Sequence, residues 1–292
     1  MKRKIGLSTL GFQNEYGDKK AIEMAVRAGA DSIDFFLGKQ PYEDGSVYLG
    51  GDAAVVDYYC KLKEYAHSLG LEINQTHGYG AGFCGDAQKD AVATEKYRLD
   101  CLATAALGAE VMVIHNVGYG EFLTDERPEF IRDLNHELYM TILPFAKKYG
   151  IKIASETLAN SGQRIDFFGN TDEFIAACEK IESGEYKDYF TVCMDTGHSH
   201  KAVRYGFESV PDMIRRLGSR ITVLHIHDND GIKDQHRMPP HGTIDWQSVF
   251  EALSDIGFDG VYNLELSLTR YGKELMEDHA AFAIKVLRNM LK

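Results

Sequence analysis

Side chains able to hold a cation or move a proton recur in short clusters along the chain. They are Thr76-His77-Gly78, His115-Asn116, Ser155-Glu156-Thr157, Met194-Asp195-Thr196-Gly197-His198, His225-Ile226-His227-Asp228 and Asn263-Leu264-Glu265-Leu266-Ser267. Each lies at or near the end of a short β-rich run. Taken singly these residues ask for little: a histidine on an apolar strand is ordinarily a hydrogen-bonded core residue, and an aspartate at a strand end ordinarily forms a turn or caps a helix. Taken together they ask for a counter-ion, because carboxylates buried side by side cannot all stay ionised without a compensating positive charge. Carboxylates plus an imidazole form a mixed oxygen and nitrogen donor set, which suits Mn²⁺, Mg²⁺, Co²⁺ or Zn²⁺ rather than a thiolate-seeking ion. The core set expected to meet at one divalent cation is Glu156, Asp195, His225 and Glu265.

Residues so far apart in sequence meet only if the fold delivers them to one place. Strand-like runs are expected at 4–9, 32–37, 72–77, 111–117, 152–157, 190–195, 221–228 and 261–267. Amphipathic helices are expected at 19–28, 53–69, 87–107, 129–149, 171–182, 210–217, 246–256 and 273–291. Alternation of this kind implies parallel strands joined by helical crossovers. Glycines 29, 70, 108, 150, 218 and 257 stand between a helix and the next strand, where a left-handed cap is needed. No Pro-rich or Gly/Ser-rich linker interrupts the pattern, so the expected architecture is α/β, a single (β/α)8 TIM barrel spanning residues 1–292. An open doubly wound sheet is disfavoured because the Gly6 to Gly11 stretch lacks a dinucleotide-binding fingerprint. In a barrel, the carboxyl ends of the strands share one face, and there the clusters converge.

The chain has 292 residues, 44% of them apolar and 26% charged, a composition that excludes a disordered or fibrous chain. A net charge of -12 opposes non-specific binding to nucleic acid or to anionic membranes, and favours a small neutral or cationic substrate. The five cysteines form no Cys-Xaa-Xaa-Cys pair, and no run reaches the roughly 20 apolar residues of a membrane span, so a reducing, cytoplasmic setting is expected. A homo-oligomer is left open.

The chain resembles the xylose isomerase-like barrels, a group that includes sugar and sugar-phosphate isomerases and epimerases, inosose-processing enzymes and the endonuclease IV family. The resemblance rests on the Glu156 strand followed by Phe168-Gly169-Asn170, on Asp195-Thr196-Gly197-His198, on His225-Ile226-His227-Asp228-Asn229-Asp230, on Gly242-Thr243-Ile244-Asp245-Trp246 and on Leu264-Glu265. It implies that Glu156, Asp195, His225 and Glu265 are metal ligands, with His198 close to the metal or substrate. His225 is preferred to His227 because, with Asp228, it meets the family's His-Xaa-Xaa-acid pattern; His227 stands in the same relation to Asp230 and is the alternative ligand. His77, His115, Asp234 and His236 fall where endonuclease IV-type barrels place ligands for additional zinc ions, which implies two or three metals per chain.

The activity implied is isomerisation or epimerisation of a sugar, an inosose or a sugar phosphate through an enediolate, with Glu156 and Glu265 as proton-transfer groups and His198 as a third catalytic residue. The pattern departs from that of ketose 3-epimerases, which place an arginine shortly after the strand-seven histidine; here Gly231 and Lys233 occupy the neighbourhood, Arg237 lies further on, and Pro240-His241-Gly242-Thr243 replaces the usual Pro-Gly-Xaa-Gly loop. Arg164, Lys201 and Arg204 are scattered cations available for a phosphate or for ordinary surface charge. Phe12, Phe35, Phe36, Tyr79, Tyr119 and Trp246 are aromatics available for a sugar pocket or for the core. Two rival readings are a metal-dependent phosphodiesterase acting at abasic DNA sites, with Tyr79 as a wedge, and a sugar-binding barrel without turnover.

Overall fold

Eight runs rich in β-branched and apolar residues form strands β1 (Ile5–Ser8), β2 (Ser32–Phe36), β3 (Glu72–His77), β4 (Val111–Ile114), β5 (Lys152–Glu156), β6 (Phe190–Asp195), β7 (Ile221–His225) and β8 (Tyr262–Leu264). The computed structural model describes residues 3–38, 44–78, 80, 82–118, 123–158 and 170–292. Tyr79, Tyr119, Arg164 and the Phe168-Gly169 pair lie outside the described residues. The strands are parallel and hydrogen-bonded in the order β7-β6-β5-β4-β3-β2-β1-β8. Beyond β7 the Ile226 N–H donates to Asn263 O at 2.7 Å and the Glu265 N–H to Ile226 O at 3.1 Å, which closes the barrel.

The outer layer is formed by α1 (Leu10–Tyr16), α2 (Asp18–Ala28), α3 (Gly51–Ser68), α4 (Ala87–Leu107), α5 (Pro128–Tyr149), α6 (Thr171–Glu182), α7 (Thr196–Val203), α8 (Val210–Leu217), α9 (Trp246–Asp255) and α10 (Met276–Met290). Side-chain caps start several of them: Asp86 accepts from the Gln88 and Lys89 N–H groups, Asn170 from Asp172 and Glu173, and Asp245 from Ser248. The six helix-ending glycines all take positive φ, between 58 and 85°. Two helices were not expected. Both α1 and α7 are short and follow directly on a strand, so neither shows an apolar stripe long enough to read as a helical period. The last helix begins three residues later than expected, after a 3-10 turn at Lys273–Leu275. Among the described residues no helix is long and apolar enough to cross a membrane.

Most of the core lies between barrel and helices, where Ile33, Phe35, Met112, Ile153, Val192 and Leu224 meet the helical layer. Phe12, Phe35 and Trp246 belong to it, so these aromatics are packing residues. The barrel interior is a smaller, separate cluster of Val111, Val113, Ala154, Cys193 and Val223. A polar pair crosses this interior, Asn263 Nδ2 donating to Gln75 Oε1. Gly6 leaves room for it: a Cβ at this position would stand 1.7 Å from Asn263 Oδ1. Gly6→Ala is therefore expected to lower stability by about 1–3 kcal/mol, the usual cost of overpacking. Urea unfolding checks this, and an unchanged midpoint would show that the interior yields freely.

Candidate metal centre

Side chains of a strand alternate between two faces, so residues two apart share a side. The inward residues Ala154, Cys193 and Val223 are followed two positions on, at the carboxyl end of the strand, by Glu156, Asp195 and His225. The same step leads from Gln75 to His77, from Val113 to His115, from Ser32 to Asp34 and from Asn263 to Glu265. One phase rule thus turns a small apolar interior into a ring of ionisable groups at the mouth.

One oxygen or nitrogen from each of Glu156, Asp195, His225 and Glu265 lies within 4.8 Å of all the others, so the core set expected from the sequence does converge. His77, His115 and Glu156 form a second such group, and His198, His227, Asp234 and His236 a third. Glu156 is the hub. Its Oε1 stands 3.0 Å from His225 Nδ1 and 3.4 Å from His198 Nδ1, and its Oε2 3.0 Å from His115 Nε2 and 3.4 Å from His77 Nε2. In the third group Asp234 Oδ2 stands 3.2 Å from His198 Nε2 and 3.4 Å from His236 Nε2. Cation bonds of about 2.1 Å place neighbouring ligand atoms about 3.0–3.4 Å apart, which is the spacing seen.

The charges are mutually tuned. Burial works to raise the Glu156 carboxyl, but the imidazoles of His225 and His115 outweigh it and hold the group well below the ordinary carboxylate range. Asp195, beside His198 and His227, and Glu265, beside His225 and His236, are lowered against burial in the same way. Burial opposes the charged form of the histidines too, yet Asp195 and Asp234 raise His198 well above its usual value, and Glu265 and Asp234 bring His236 up to about 9.

Asp34 and Tyr139 were missed in the sequence, and both support residues that were singled out. Asp34, fully buried in the middle of β2, meets His225 Nε2 through Oδ2 at 2.8 Å and so fixes the ring with Nδ1 toward Glu156 and Glu265. Its alternating pattern, Ser-Ile-Asp-Phe-Phe, was the available signal. Asn116 Nδ2 donates to Glu156 O at 2.9 Å, while Tyr139 Oη–H donates to Asn116 Oδ1 at 2.6 Å. The Asp195 N–H donates to Thr157 Oγ1 at 2.9 Å. Asp195 also caps α7, Oδ1 accepting from the His198 N–H at 2.6 Å, so the ordinary role of such an aspartate and its place in the cluster coexist.

The acid of the His-Xaa-Xaa-acid pattern that favoured His225 bonds elsewhere. Asp228 does not touch His225: its Oδ2 accepts from Trp246 Nε1–H at 2.9 Å and its Oδ1 from the Asn229 N–H at 2.9 Å. His227 Nε2 stands 3.0 Å from Asp195 Oδ1, and its ring lies parallel to that of His236, centroids 3.9 Å apart. Gly197 makes room for that ring, since a Cβ there would fall 2.0 Å from His227 Cε1. Of the remaining candidates, Phe36 lies against His77 with centroids 5.6 Å apart, and Lys201 is buried. A cavity of about 570 Å³ opens beside His115, lined by Phe83, Lys89, Asn116, Leu123 and Leu158.

The sequence matches the family model for the xylose isomerase-like TIM barrel over residues 22–289, and the chain belongs to that family. The solved structure of a D-tagatose 3-epimerase-like protein resembles this fold with a TM-score of 0.77, over 99% of this chain and 97% of that one, at 22% identity. Among curated proteins, the probable endonuclease 4 of Acholeplasma laidlawii is 27% identical over 210 residues, 65% of this chain and 67% of that protein. The inosose isomerase of Bacillus licheniformis is 25% identical over 156 residues, 51% of this chain and 52% of that protein. Two further relatives are matched over 52% and 62% of their own length, so the chain spans between half and two thirds of them.

The histidine–carboxylate pairs give the metal-free protein a characteristic pH response. A histidine raised from its ordinary 6.5 to about 9 in the folded state, as His236 is, contributes stability that is complete below 6.5 and lost as pH rises through 9. The chelator-treated protein should therefore show a urea midpoint that falls between pH 6.5 and 9, and a smaller fall in His236→Asn. Equal slopes in the two proteins would disprove the pairing.

Proposed function

We propose that the protein is a divalent-metal-dependent isomerase or epimerase that acts on a sugar, an inosose or a sugar phosphate by proton transfer at the carbon beside a carbonyl. The observation that carries this reading is the convergence of Glu156, Asp195, His225 and Glu265 at the barrel mouth. The donor set fits a cation. Glu156 Oε2 and Glu265 Oε2 are buried and make no well-aligned hydrogen bond among the described residues, although His115 Nε2 is only 3.0 Å from the former. Three carboxylates and one imidazole are hard, mixed donors, and Asp34, by accepting from His225 Nε2–H, would leave Nδ1 bare to complete them. His77 with His115, and His198 with Asp234 and His236, would hold further ions. When bound, a divalent cation supplies Lewis-acid polarisation of the substrate's oxygens and stabilises negative charge that develops on them.

The chain's own groups do the rest. Glu156 and Glu265 lie below the ordinary carboxylate value and are ionised at neutral pH, so either can take a proton from carbon and give it back. They are supplied from β5 and from the residue just after β8, three strands apart around the barrel; one takes the carbon-bound proton and later releases it to water, and the other, protonated from water, delivers a proton to the opposite face and so inverts the carbon. In this reading His198, at the start of α7 with its Nε2 3.2 Å from Asp234 Oδ2, would either hold a further ion or meet a substrate hydroxyl in its place. The likeness to a D-tagatose 3-epimerase-like fold and to an inosose isomerase supports this class.

One observation favours a second reading. The flanking groups His77/His115/Glu156 and His198/Asp234/His236 form a surround of the kind that activates water for phosphodiester cleavage, and a probable endonuclease 4 is among the relatives. The net charge of -12 weighs against a DNA backbone as substrate.

The metal-loaded protein is expected to wash deuterium from water into the carbon-bound position of at least one member of a panel of ketoses, inososes and their phosphates, read by NMR. Glu265→Gln and Glu156→Gln should lose about 10²–10⁴-fold of that exchange. Nicking of abasic duplex DNA without any exchange would select the phosphodiesterase, and neither activity with retained sugar binding would select a barrel without turnover. Metal analysis should return two or three equivalents, and Asp34→Asn should weaken metal binding about 10–100-fold; a single equivalent would remove the outer groups from the proposal.

A further inference from the structure

A cavity of about 420 Å³ that shares no lining residue with the metal centre opens between the loop after β7, the turn after β8 and α10. Arg237, Met238, His241, Arg270, Tyr271 and His279 line it. Its charge is the reverse of the molecule's. Among the described residues the other arginines, except Arg3 and Arg204, are held by carboxylates, as Arg27 is by Glu277, Arg98 by Asp52, Arg132 by Glu173 and Arg220 by Glu182. Arg237 and Arg270 have no ion pair among the described residues. Arg237 donates to the main-chain oxygen of His241 at 3.2 Å and Arg270 to that of Gln235, which leaves the remaining N–H groups of both forks available.

His279 adds a second and independent feature. It is 6% exposed, its Nδ1 meets Leu268 O at 3.3 Å, and the edge of Tyr271 packs on its ring at 4.9 Å. Its Nε2 is buried without a partner among the described residues. Burial first, then the positive charge of Arg270 and His241, holds this imidazole below its usual value and so neutral at pH 7. Nδ1 therefore carries the proton donated to Leu268 O, and Nε2 presents a lone pair. Two guanidinium forks beside one hydrogen-bond acceptor call for an oxyanion that brings its own proton. Carboxylate and sulfate lack that proton at neutral pH, and a phosphate monoester, with a second pKa of about 6, mostly lacks it too, whereas inorganic hydrogenphosphate has one.

We propose that this cavity is a site for inorganic phosphate, with Arg237 and Arg270 on the anionic oxygens and the P–OH of hydrogenphosphate donated to His279 Nε2. The site stands apart from the metal centre and does not rest on the isomerase reading. Titration calorimetry on the chelator-treated full-length chain, with inorganic phosphate, sulfate and fructose 6-phosphate as probes, tests it without any metal. Phosphate should bind with a Kd below about 5 mM and sulfate at least about tenfold more weakly. Arg237→Gln and Arg270→Gln should each weaken phosphate at least about fivefold, Arg270→Lys should recover part of the loss, and His279→Phe should erase the preference over sulfate. Fructose 6-phosphate, whose ester is mostly a proton-free dianion at pH 7, should bind more weakly than inorganic phosphate, and tighter binding of the ester would overturn the donated P–OH. Sulfate equal to phosphate, or phosphate affinity unchanged in both arginine variants with thermal melts like that of the unaltered protein, would overturn the assignment.

Discussion

Carboxylates placed where water cannot reach them must be neutralised, and this requirement organises the mouth of the barrel. Asp34, Glu156 and Asp195 are fully buried and Glu265 nearly so, and leaving any of them uncompensated would cost several kcal/mol. The compensation comes from imidazoles rather than from lysine or arginine. Each central histidine lies between two acids: His225 between Asp34 and Glu156, and His198 between Glu156 and Asp234. An imidazole can hold a proton against these carboxylates and yet give it up when a cation competes for the same nitrogen, so the same ring can trade its proton for coordination to a cation. A guanidinium could stabilise the cluster but could not make that exchange.

The period-two register of the strands is what made most of this legible. All eight strands and eight of the ten helices follow from alternation, amphipathic stripes and helix-ending glycines, and because functional side chains continue the inward phase, Glu156, Asp195, His225 and Glu265 could be singled out from strand ends alone. Asp34 escaped for a related reason: in a run that is otherwise apolar, a single acid looks like a local exception, and only the cross-barrel contact with His225, 191 positions away, explains it. The placement of Asp234 and His236 follows no periodicity at all. It depends on the antiparallel bridge between Asp228 and Arg237 and on the positive φ of 43° at His236, features of a loop that the sequence pattern does not encode. For these two residues only the family resemblance gave a signal. The short helix α7 was hidden because its first turn, Thr196-Gly197-His198, is spent on the site and carries no apolar stripe.

The four residues His225-Ile226-His227-Asp228 show how closely such a segment is shared between tasks. The chain leaves β7 after His225, and the main-chain groups of Ile226 finish the barrel by bonding to Asn263 and Glu265. That bond sets the position of Glu265, so the closure of the barrel and the geometry of the acid at its last strand are one event. Asp228 turns outward to the indole of Trp246 and ties the following loop to α9. His227 lies between these two anchors. Its Nε2 stands 3.0 Å from Asp195 Oδ1, and its ring is parallel to that of His236 with centroids 3.9 Å apart. Gly197 is the counterpart of this arrangement, since the stacked ring occupies the space that any Cβ would need. Distinguishing His225 from His227 thus comes down to ring direction: the first points its Nδ1 at Glu156 and Glu265, and the second spends its nearest nitrogen on holding Asp195 in place.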